Sequence, residues 1–266
     1  TIDQSKPPQP SFSIALKSVR EISYAQSKSA SEGISPMPIQ SDKATRPFSL
    51  NLKAALLGLV GAVLLSSCAS ETVQGEGPLK REERTLAAFQ AVDVSQSFIV
   101  EIETGKPQSI AVEADENLLP LIDTQVVDNT LKIANKPGKT LSSNNPIKVF
   151  LSLPSLQNVD AKGASRLVIT GIQGDQLKLN LEGGHQVRMV GGVLQNLQIK
   201  ASGAAQLESL MLKAQNVDIQ LSGAASARIR AEKKLKVSAA GACKLEYKGT
   251  PEITQNLSGM SVLRKL

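Results

Sequence analysis

Residues 178–187, KLNLEGGHQV, are followed at intervals of twenty residues by QIKASGAAQL (198–207) and DIQLSGAASA (218–227). In each segment apolar residues alternate with polar ones up to a glycine, and another apolar residue lies four positions beyond it. Alternation with period two places one set of side chains on the inner face of a strand. The glycine recurs at spacings of 20, 20, 20, 18 and 18 residues, as Gly163, Gly183, Gly203, Gly223, Gly241 and Gly259. This pattern predicts a repeat protein whose unit contains a strand and a glycine corner.

The repeat length and period predict an all-β fold, a parallel β-helix with coils of about 20 residues. Helical solenoids need a period of 3.6, and leucine-rich repeats need a fixed leucine framework with an asparagine column, and neither pattern is present. An antiparallel sandwich with coincidental spacing is the alternative. Alternating apolar residues between 92 and 153 predict further half-buried strands, so we assign residues 85–266 to the β-helix domain.

An export signal precedes this domain. Residues 54–65, AALLGLVGAVLL, would span only about 18 Å as a helix, which is too short to cross a membrane. Three basic residues precede the run: Lys43, Arg46 and Lys53. Its end resembles the bacterial lipobox, with an aliphatic residue, two small residues and the cysteine that is acylated: Leu65, Ser66, Ser67 and Cys68. We therefore predict a lipoprotein signal peptide over 37–67.

The sequence around this signal leaves alternatives open for residues 1–36 and 37–67, and it indicates the expected location of the protein. Residues 1–36 are polar and lack periodicity, so they are either a disordered extension or not translated, with synthesis starting at Met37. The other interpretations of 37–67 are an ordinary secretion signal without lipidation and a buried apolar helix followed by an incidental cysteine. Residues 68–84 are expected to be the lipidated cysteine and a polar tether. In enteric bacteria, an Asp directly after the acylated cysteine retains a lipoprotein in the inner membrane. Here that position is Ala69, so an outer-membrane lipoprotein is favoured in a Gram-negative host.

The composition excludes several functional classes. Among 266 residues there are one His, two Cys, no Trp, five Phe and two Tyr, and the net charge is +6. These counts disfavour multi-disulfide scaffolds, four-cysteine zinc sites, His-rich metal centres and stacking platforms for bases or sugars. Half of the net charge lies before residue 68, so a basic nucleic-acid-binding face is not expected. We predict no cofactor, no metal site and no nucleic-acid partner.

The corner motifs and one upstream segment indicate a resemblance to a known family. The corner motifs SGAA (202–205 and 222–225), AGAC (240–243) and SGMSVL (258–263), together with ADENLLPLIDTQVVDNTLKI (114–133), resemble the head GIN domain family of auto-transporter adhesins. The resemblance covers residues 85–266 and implies a right-handed β-helical lipoprotein or surface protein, with no catalytic residues to carry over. Family repeats typically have an Asp three residues after the first Gly, and here that column is Arg166, Gln186, Gln206, Ser226, Lys244 and Val262. The acidic ladder that calcium would need is therefore missing.

The predicted outer face carries several charged residues. Basic residues that follow the corners could form a loose stripe that touches lipopolysaccharide or another acidic polymer: Arg166, Arg188, Arg228, Arg230 and Lys244. Interspersed glutamates favour an ordinary solvated face instead. Two outward acids, Asp160 and Asp218, would lie about 14 Å apart at ~4.8 Å per coil, too far for a glycosidase pair. The only histidine, His185, is expected to be an exposed corner residue.

These observations predict a lipid-anchored, exported and non-catalytic protein at the cell envelope, on either side of the outer membrane. It would present an adhesin-like surface for binding or scaffolding, with an envelope or surface polysaccharide or a protein as partner. The membrane itself is a partner through the lipid anchor, and the open β-helix end favours a homodimer or a cap from the N-terminal half. The alternatives are an envelope-integrity or assembly factor without an external ligand, and a carbohydrate-active β-helix enzyme.

Overall fold

The computed structural model describes residues 70–266, and this part of the chain contains eighteen strands and one short 3-10 turn, Leu119–Leu121. The strands are β1 (Glu71–Gln74), β2 (Leu79–Glu83), β3 (Ala91–Gln96), β4 (Ile99–Thr104), β5 (Ser109–Asp115), β6 (Ile122–Val127), β7 (Thr130–Asn135), β8 (Lys139–Ser142), β9 (Lys148–Leu153), β10 (Asn158–Gly163), β11 (Arg166–Gly183), β12 (Gln186–Gly203), β13 (Gln206–Glu208), β14 (Lys213–Gly223), β15 (Ser226–Gly241), β16 (Lys244–Lys248), β17 (Glu252–Gly259) and β18 (Val262–Lys265). The segments predicted as upstream region (1–36) and signal peptide (37–67), and the lipidated Cys68 with its neighbour Ala69, lie outside the described residues.

The repeats stack as a β-solenoid of about five turns, which confirms the predicted parallel β-helix. Strand β11 pairs in parallel with β12 in a register offset of twenty residues, and β12 pairs with β14 in the same way. Pairing is continuous over three segments of the coil, residues 166–170, 172–174 and 176–183. Each coil therefore lies ~4.8 Å above the previous one, as neighbouring strands in a sheet do.

The inward columns form one apolar core, as the alternation predicted. The column four residues before each corner glycine is buried from Val159 to Val237, and its last member, Gln255, is exposed. The column four residues after each glycine is buried from Leu167 to Leu245. Each fully buried Leu or Ile contributes about 1.5–3 kcal/mol relative to an exposed one, so continuous stacking of these columns stabilises the whole array. The register offset is twenty residues between β12 and β14 and falls to eighteen between β14 and β15 from Asn216 onward, after an irregularity between Ala214 and Asn216. It stays at eighteen between β15 and β17.

The corner glycines lie in register with one another along the solenoid. Gly183 has φ +127°, and a Cβ placed on it would lie 2.1 Å from the carbonyl oxygen of Gly163 in the coil before. Both the backbone angle and the close approach exclude a side chain there. In the first coil the corresponding position is Gln96, which adopts φ +71° without being glycine. The glycine spacing therefore does not reveal this coil in the sequence, although the coil is part of the solenoid.

The N-terminal end of the solenoid is covered by antiparallel strands. Strands β3 and β4 form a coil that precedes the sequence repeat, since they pair in parallel with β10 and β11. Beyond it, β9 pairs with β4 and then with antiparallel β5, while the β6–β7 hairpin extends the neighbouring sheet. This end buries Phe89, Ile110, Leu118, Leu119 and Ile122.

The expectation of a polar tether over 68–84 is wrong for most of that segment. Strand β1 pairs with β8, and β2 pairs with β5. Both strands are mainly exposed, so they lack the apolar alternation by which a buried strand is recognised. Strand β1 forms a separate two-stranded sheet with β8, and β2 joins the main sheet through β5. Backbone hydrogen bonds hold both strands in place, and such bonds do not depend on side-chain pattern. No helix within residues 70–266 is long and apolar enough to span a bilayer.

Candidate functional site

A groove runs along one outer side of the solenoid, over the sheet that includes β3, β10, β14, β17 and residues 176–183 of β11. We call this side the groove face. The groove has a volume of about 670 Å³. One column of outward side chains along it is Asp93, Asp160, Asn180, Lys200, Gln220, Ser238 and Asn256, and the next is Lys162, Glu182, Ser202, Ser222, Ala240 and Ser258. Six steps of ~4.8 Å separate the first and last coils, so the groove is about 29 Å long.

The groove exists because the second column is built largely from small residues. Ser202, Ser222 and Ala240 directly precede the corner glycines, where the chain turns toward the next face. Short side chains beside glycine leave an open space, and the longer side chains of the first column form one edge of it. Those longer residues include Lys200 and Gln220, which are exposed.

Two carboxylates lie side by side at the N-terminal end of the groove face. Asp93 of β3 is in register with Asp160 of β10, so the two residues are one coil apart. Asp93 is therefore closer to Asp160 than Asp218, the acid considered from the sequence, was expected to be. The similarity of VDV (92–94) to VDA (159–161) was the available signal, but 64 residues separate the two segments. The expectation that Asp160 has only Asp218 as an acidic neighbour on this face is therefore wrong.

The Asp160 carboxylate of this pair accepts hydrogen bonds from neighbouring amide side chains. The Asn180 side-chain amide donates to Oδ1 of Asp160 at 2.6 Å, and that of Asn158 donates to Oδ2. Oδ1 of Asp93 is buried and has no hydrogen-bond partner among residues 70–266. Both Asp160 oxygens are thus engaged by amides of this chain, which leaves that carboxylate poorly placed to exchange a proton with a bound substrate.

The neighbouring outer side carries charges of alternating sign and is called here the ion-pair face. Its central column is Arg188, Glu208, Arg228, Glu246 and Arg264, on five successive coils. Nε of Arg228 lies 2.9 Å from Glu246, and its Nη1 lies 3.6 Å from Glu208. A groove of about 660 Å³ also runs here. Opposite charges at the spacing of adjacent strands attract, so this face satisfies much of its own charge.

Glu246 is the centre of the ion-pair face. Only 2% of its side chain is exposed, and it receives contacts from Lys244 at 3.0 Å, Arg228 at 2.9 Å and Arg264 at 2.5 Å. The hydrogen bond from Lys244 is the main cause that lowers the pKa of Glu246 from 4.5 to about 2, with Arg228 and Arg264 adding to it and burial opposing it. Glu246 also holds the pKa of Arg228 above its usual value, chiefly through their hydrogen bond.

The five basic residues singled out in the sequence all lie on this one sheet, but their charges are largely engaged. Arg228 and Lys244 contact Glu246, and Arg230 lies 2.6 Å from Glu232. Arg166 donates from Nε to the side-chain oxygen of Gln186 at 3.2 Å, and Arg188 is exposed at the start of the charged column. The structure therefore presents an alternating ladder in place of a uniform basic stripe. A role for these residues in binding a ligand stays a prediction.

His185 is buried, and the expectation of an exposed corner residue is wrong. Its side chain is completely shielded from solvent. Nδ1 accepts a hydrogen bond from the backbone N–H of Ser165 at 3.2 Å, and Nε2 lies 3.1 Å from the carbonyl oxygen of Glu182. His185 therefore fills the inside of the corner in its coil, where other coils carry Ala205, Ala225 or Cys243, all buried. Within residues 70–266, no three His, Cys, Asp or Glu side chains are grouped to hold a metal ion.

Fold and surface together define an extended β-solenoid with two polar outer grooves. The family described as "Putative auto-transporter adhesin, head GIN domain" matches residues 88–209 and 189–251. These matches span more than half of the chain, so the protein belongs to this family, and the resemblance noted in the sequence is confirmed. It is thus a member of an adhesin-like family with a β-solenoid fold, which indicates a cell-envelope or surface protein.

Similar structures have been solved, and the first described here supports the fold. A putative adhesin from Bacteroides fragilis is 19% identical and covers 73% of this chain and 100% of its own, with a TM-score of 0.59. A putative lipid binding protein from Parabacteroides distasonis is 17% identical (74% and 100% covered, TM-score 0.49), and a putative adhesin from Parabacteroides merdae is 21% identical (74% and 99%, TM-score 0.48). A comparison with curated proteins gives no match.

Proposed function

We propose that this protein is a lipid-anchored component of the bacterial cell envelope that binds through its outer surface and catalyses no reaction. The observation that carries the proposal is the groove face, where seven successive coils present outward polar side chains along about 29 Å. A stacked sheet fixes the spacing of these groups, so little conformational entropy is lost when a ligand binds across them. Membership in an adhesin-like family supports the same function.

The proposed anchor is Cys68, preceded by the lipobox residues Leu65, Ser66 and Ser67. Each buried methylene of an acyl chain contributes about 0.8 kcal/mol, so more than one chain on the mature N-terminus would hold the protein stably in a membrane. The full chain, expressed in a Gram-negative host, should incorporate labelled palmitate and fractionate with the outer membrane. A Cys68→Ser variant should lose both properties, whereas Cys243→Ser should keep them. Palmitate incorporation into Cys68→Ser would overturn the assignment.

Support for a non-catalytic role comes from the carboxylates of the groove face. Within the described residues, Asp93 and Asp160 are the acidic pair that lies directly in register on adjacent coils of that face. A glycosidase needs one carboxyl that donates a proton and one that attacks or activates water. Asp160 is instead held by the amides of Asn158 and Asn180. Incubation with a polysaccharide panel should therefore release no new reducing ends, and turnover that Asp160→Asn abolishes would favour the enzyme alternative.

Adhesion is tested with cells that display the full-length protein. Protease treatment of intact cells establishes surface exposure, and cells that display the protein should then adhere to envelope material or to neighbouring cells more strongly than cells without it. The matched control is the Cys68→Ser strain, which makes the same domain without the anchor. Surface-exposed protein that brings no gain in adhesion, together with leakage of the envelope on deletion, would favour the integrity-factor alternative.

A further inference from the structure

We infer that the groove face binds a linear, uncharged polysaccharide that lies parallel to the solenoid axis. This inference rests on the proposed binding function and names its ligand class. The groove crosses successive coils instead of following any one strand, so an occupant that fills it must extend along the axis. The coil spacing of ~4.8 Å is close to the length of one pyranose unit in an extended chain. Each coil can then present one or two polar side chains to one sugar.

The chemistry of the C-terminal half of the groove suits neutral hydroxyl groups. Beyond the coil of Lys200, its polar side chains are the amides of Gln220 and Asn256 and the hydroxyls of Ser222, Ser238 and Ser258. Amides and hydroxyls both donate and accept hydrogen bonds, as sugar hydroxyls require of a partner. Gln220 and Asn256 are exposed, so they can bind a ligand without first breaking a buried contact.

The charges around the groove argue against a polyanion as occupant. Asp93, Asp160 and Glu182 line its N-terminal half, against Lys162 and Lys200. A polyanion laid along the groove would therefore meet three carboxylates over adjacent coils, at a cost in repulsion. On the ion-pair face, Arg228, Arg230 and Lys244 are already in contact with glutamates of this chain. Of the five basic residues singled out there, only Arg166 and Arg188 make no ion pair within residues 70–266, so few cations are free to bind a polyanion.

The residues that line the groove include no aromatic side chain. Ring stacking therefore contributes nothing, and affinity must come from hydrogen bonds repeated on each coil. Each sugar would bind weakly, and affinity should rise with chain length until the groove is filled. A groove of about 29 Å accommodates about six units at this spacing. Many anchored copies on one cell would add avidity.

The test measures binding of purified full-chain protein, held in detergent, to defined oligosaccharides and polysaccharides. The neutral probes are linear glucans, mannans and galactans, from dimer to decamer and as polymers, and the anionic probes are polygalacturonate and alginate. We expect at least one neutral series to bind, with affinity rising up to about the hexamer and little beyond it. Binding of the anionic polymers alone, or affinity that does not change between dimer and hexamer, would overturn the inference.

Matched variants locate the site. The double variant Gln220→Ala, Asn256→Ala removes two amides from the groove face and should weaken binding at least fivefold. The double variant Gln186→Ala, Gln206→Ala removes two amides from the ion-pair face and should leave affinity unchanged. Equal effects of the two pairs would overturn the placement in the groove. Far-ultraviolet circular dichroism of both variants checks that the fold is kept.

Adhesion of displaying cells separates failure of this inference from failure of the proposed function. If those cells adhere while no neutral polysaccharide binds, the binding function stands and the ligand class is wrong. Periodate treatment of the target surface, which destroys vicinal diols of sugars, should abolish adhesion. Adhesion that survives periodate but is lost on protease treatment of the target would identify a protein partner instead.

Discussion

The groove face and the ion-pair face are built from the same coils, have the same strand spacing and carry grooves of about 670 and 660 Å³. They differ in what their polar groups contact. On the ion-pair face, Arg228 and Glu246 pair with each other across adjacent strands, so the charges are largely satisfied within the protein. On the groove face, the amides of Gln220 and Asn256 are exposed to solvent. The hydroxyls of Ser202 and Ser258 donate to backbone carbonyls of the coil before and keep their lone pairs available. A repeated backbone can thus carry one self-satisfied face and one face available to a ligand.

The largest loss of stability is expected from a substitution in the core, because unfolding of the solenoid destroys both faces. Leu181 is 1% exposed and lies in the core beneath the groove face. Leu181→Asp buries an unpaired carboxylate and should cost about 4–5 kcal/mol, which unfolds the solenoid cooperatively. Gln198→Asp introduces the same charge at an exposed position between Lys178 and Asp218 and should change stability by less than about 0.5 kcal/mol. Thermal unfolding followed by circular dichroism measures both, and equal melting temperatures would refute the inward assignment.

A smaller effect, confined to the ion-pair face, is expected from Glu246→Gln. The pKa of Glu246 is lowered from 4.5 to about 2 in the folded protein, so its ionised form stabilises the fold above pH 4.5. That contribution is lost as the pH falls from 4.5 toward 2. Urea unfolding should therefore show wild type more stable than the variant at pH 6, with the gap closing over this window.

Glu208→Gln is the matched control for this face. Glu208 is 41% exposed, and its contact with Arg228 is 3.6 Å, so we expect an effect of about 0.2–1 kcal/mol or less. A gap for Glu246→Gln that stays constant down to pH 2 would contradict the role assigned to Glu246.

The corner that joins the two faces gives the next effect. Gly183→Ala forces a side chain into a conformation with φ +127° and against the carbonyl of Gly163, and strain of this kind costs about 1–3 kcal/mol. Gly184→Ala is the control, because a Cβ at the adjacent Gly184 has no neighbour within 4 Å. Urea unfolding of both variants should lower the midpoint for Gly183→Ala alone. A similar loss for both would mean that the corner does not depend on this close approach.

The smallest effect on stability is expected on the groove face itself. Gln220→Ala removes an exposed amide and should change the free energy of unfolding by less than about 0.5 kcal/mol. Gln206→Ala, at an exposed position of the other face, should do the same. Chemical denaturation of the two variants therefore compares the faces directly. A marked loss for Gln220→Ala would indicate that this face, too, holds its polar groups for stability.

Much of the candidate site could be predicted from the repeat, but its chemistry could not. Period two and glycine spacing identified which residues point outward, including Asn180, Lys200 and Gln220. The pairing of Asp93 with Asp160 could not be found by spacing, because strands β4 to β9 intervene between the two coils. Nor could the burial of His185 be predicted, since its two hydrogen bonds are made with Ser165 in the coil before and with the carbonyl of Glu182.

The sequence by itself determined the coil length, the inward columns and the glycine corners, because side-chain alternation and backbone freedom are local properties of the chain. It also predicts an acylation motif at Cys68, because that motif consists of adjacent residues. The tertiary structure alone decided how the first coil is capped, that 71–83 forms strands, and which charges neutralise one another. Those features depend on contacts between residues such as Arg228, Glu246 and Arg264, which are 18 positions apart in sequence and become neighbours only when the coils stack.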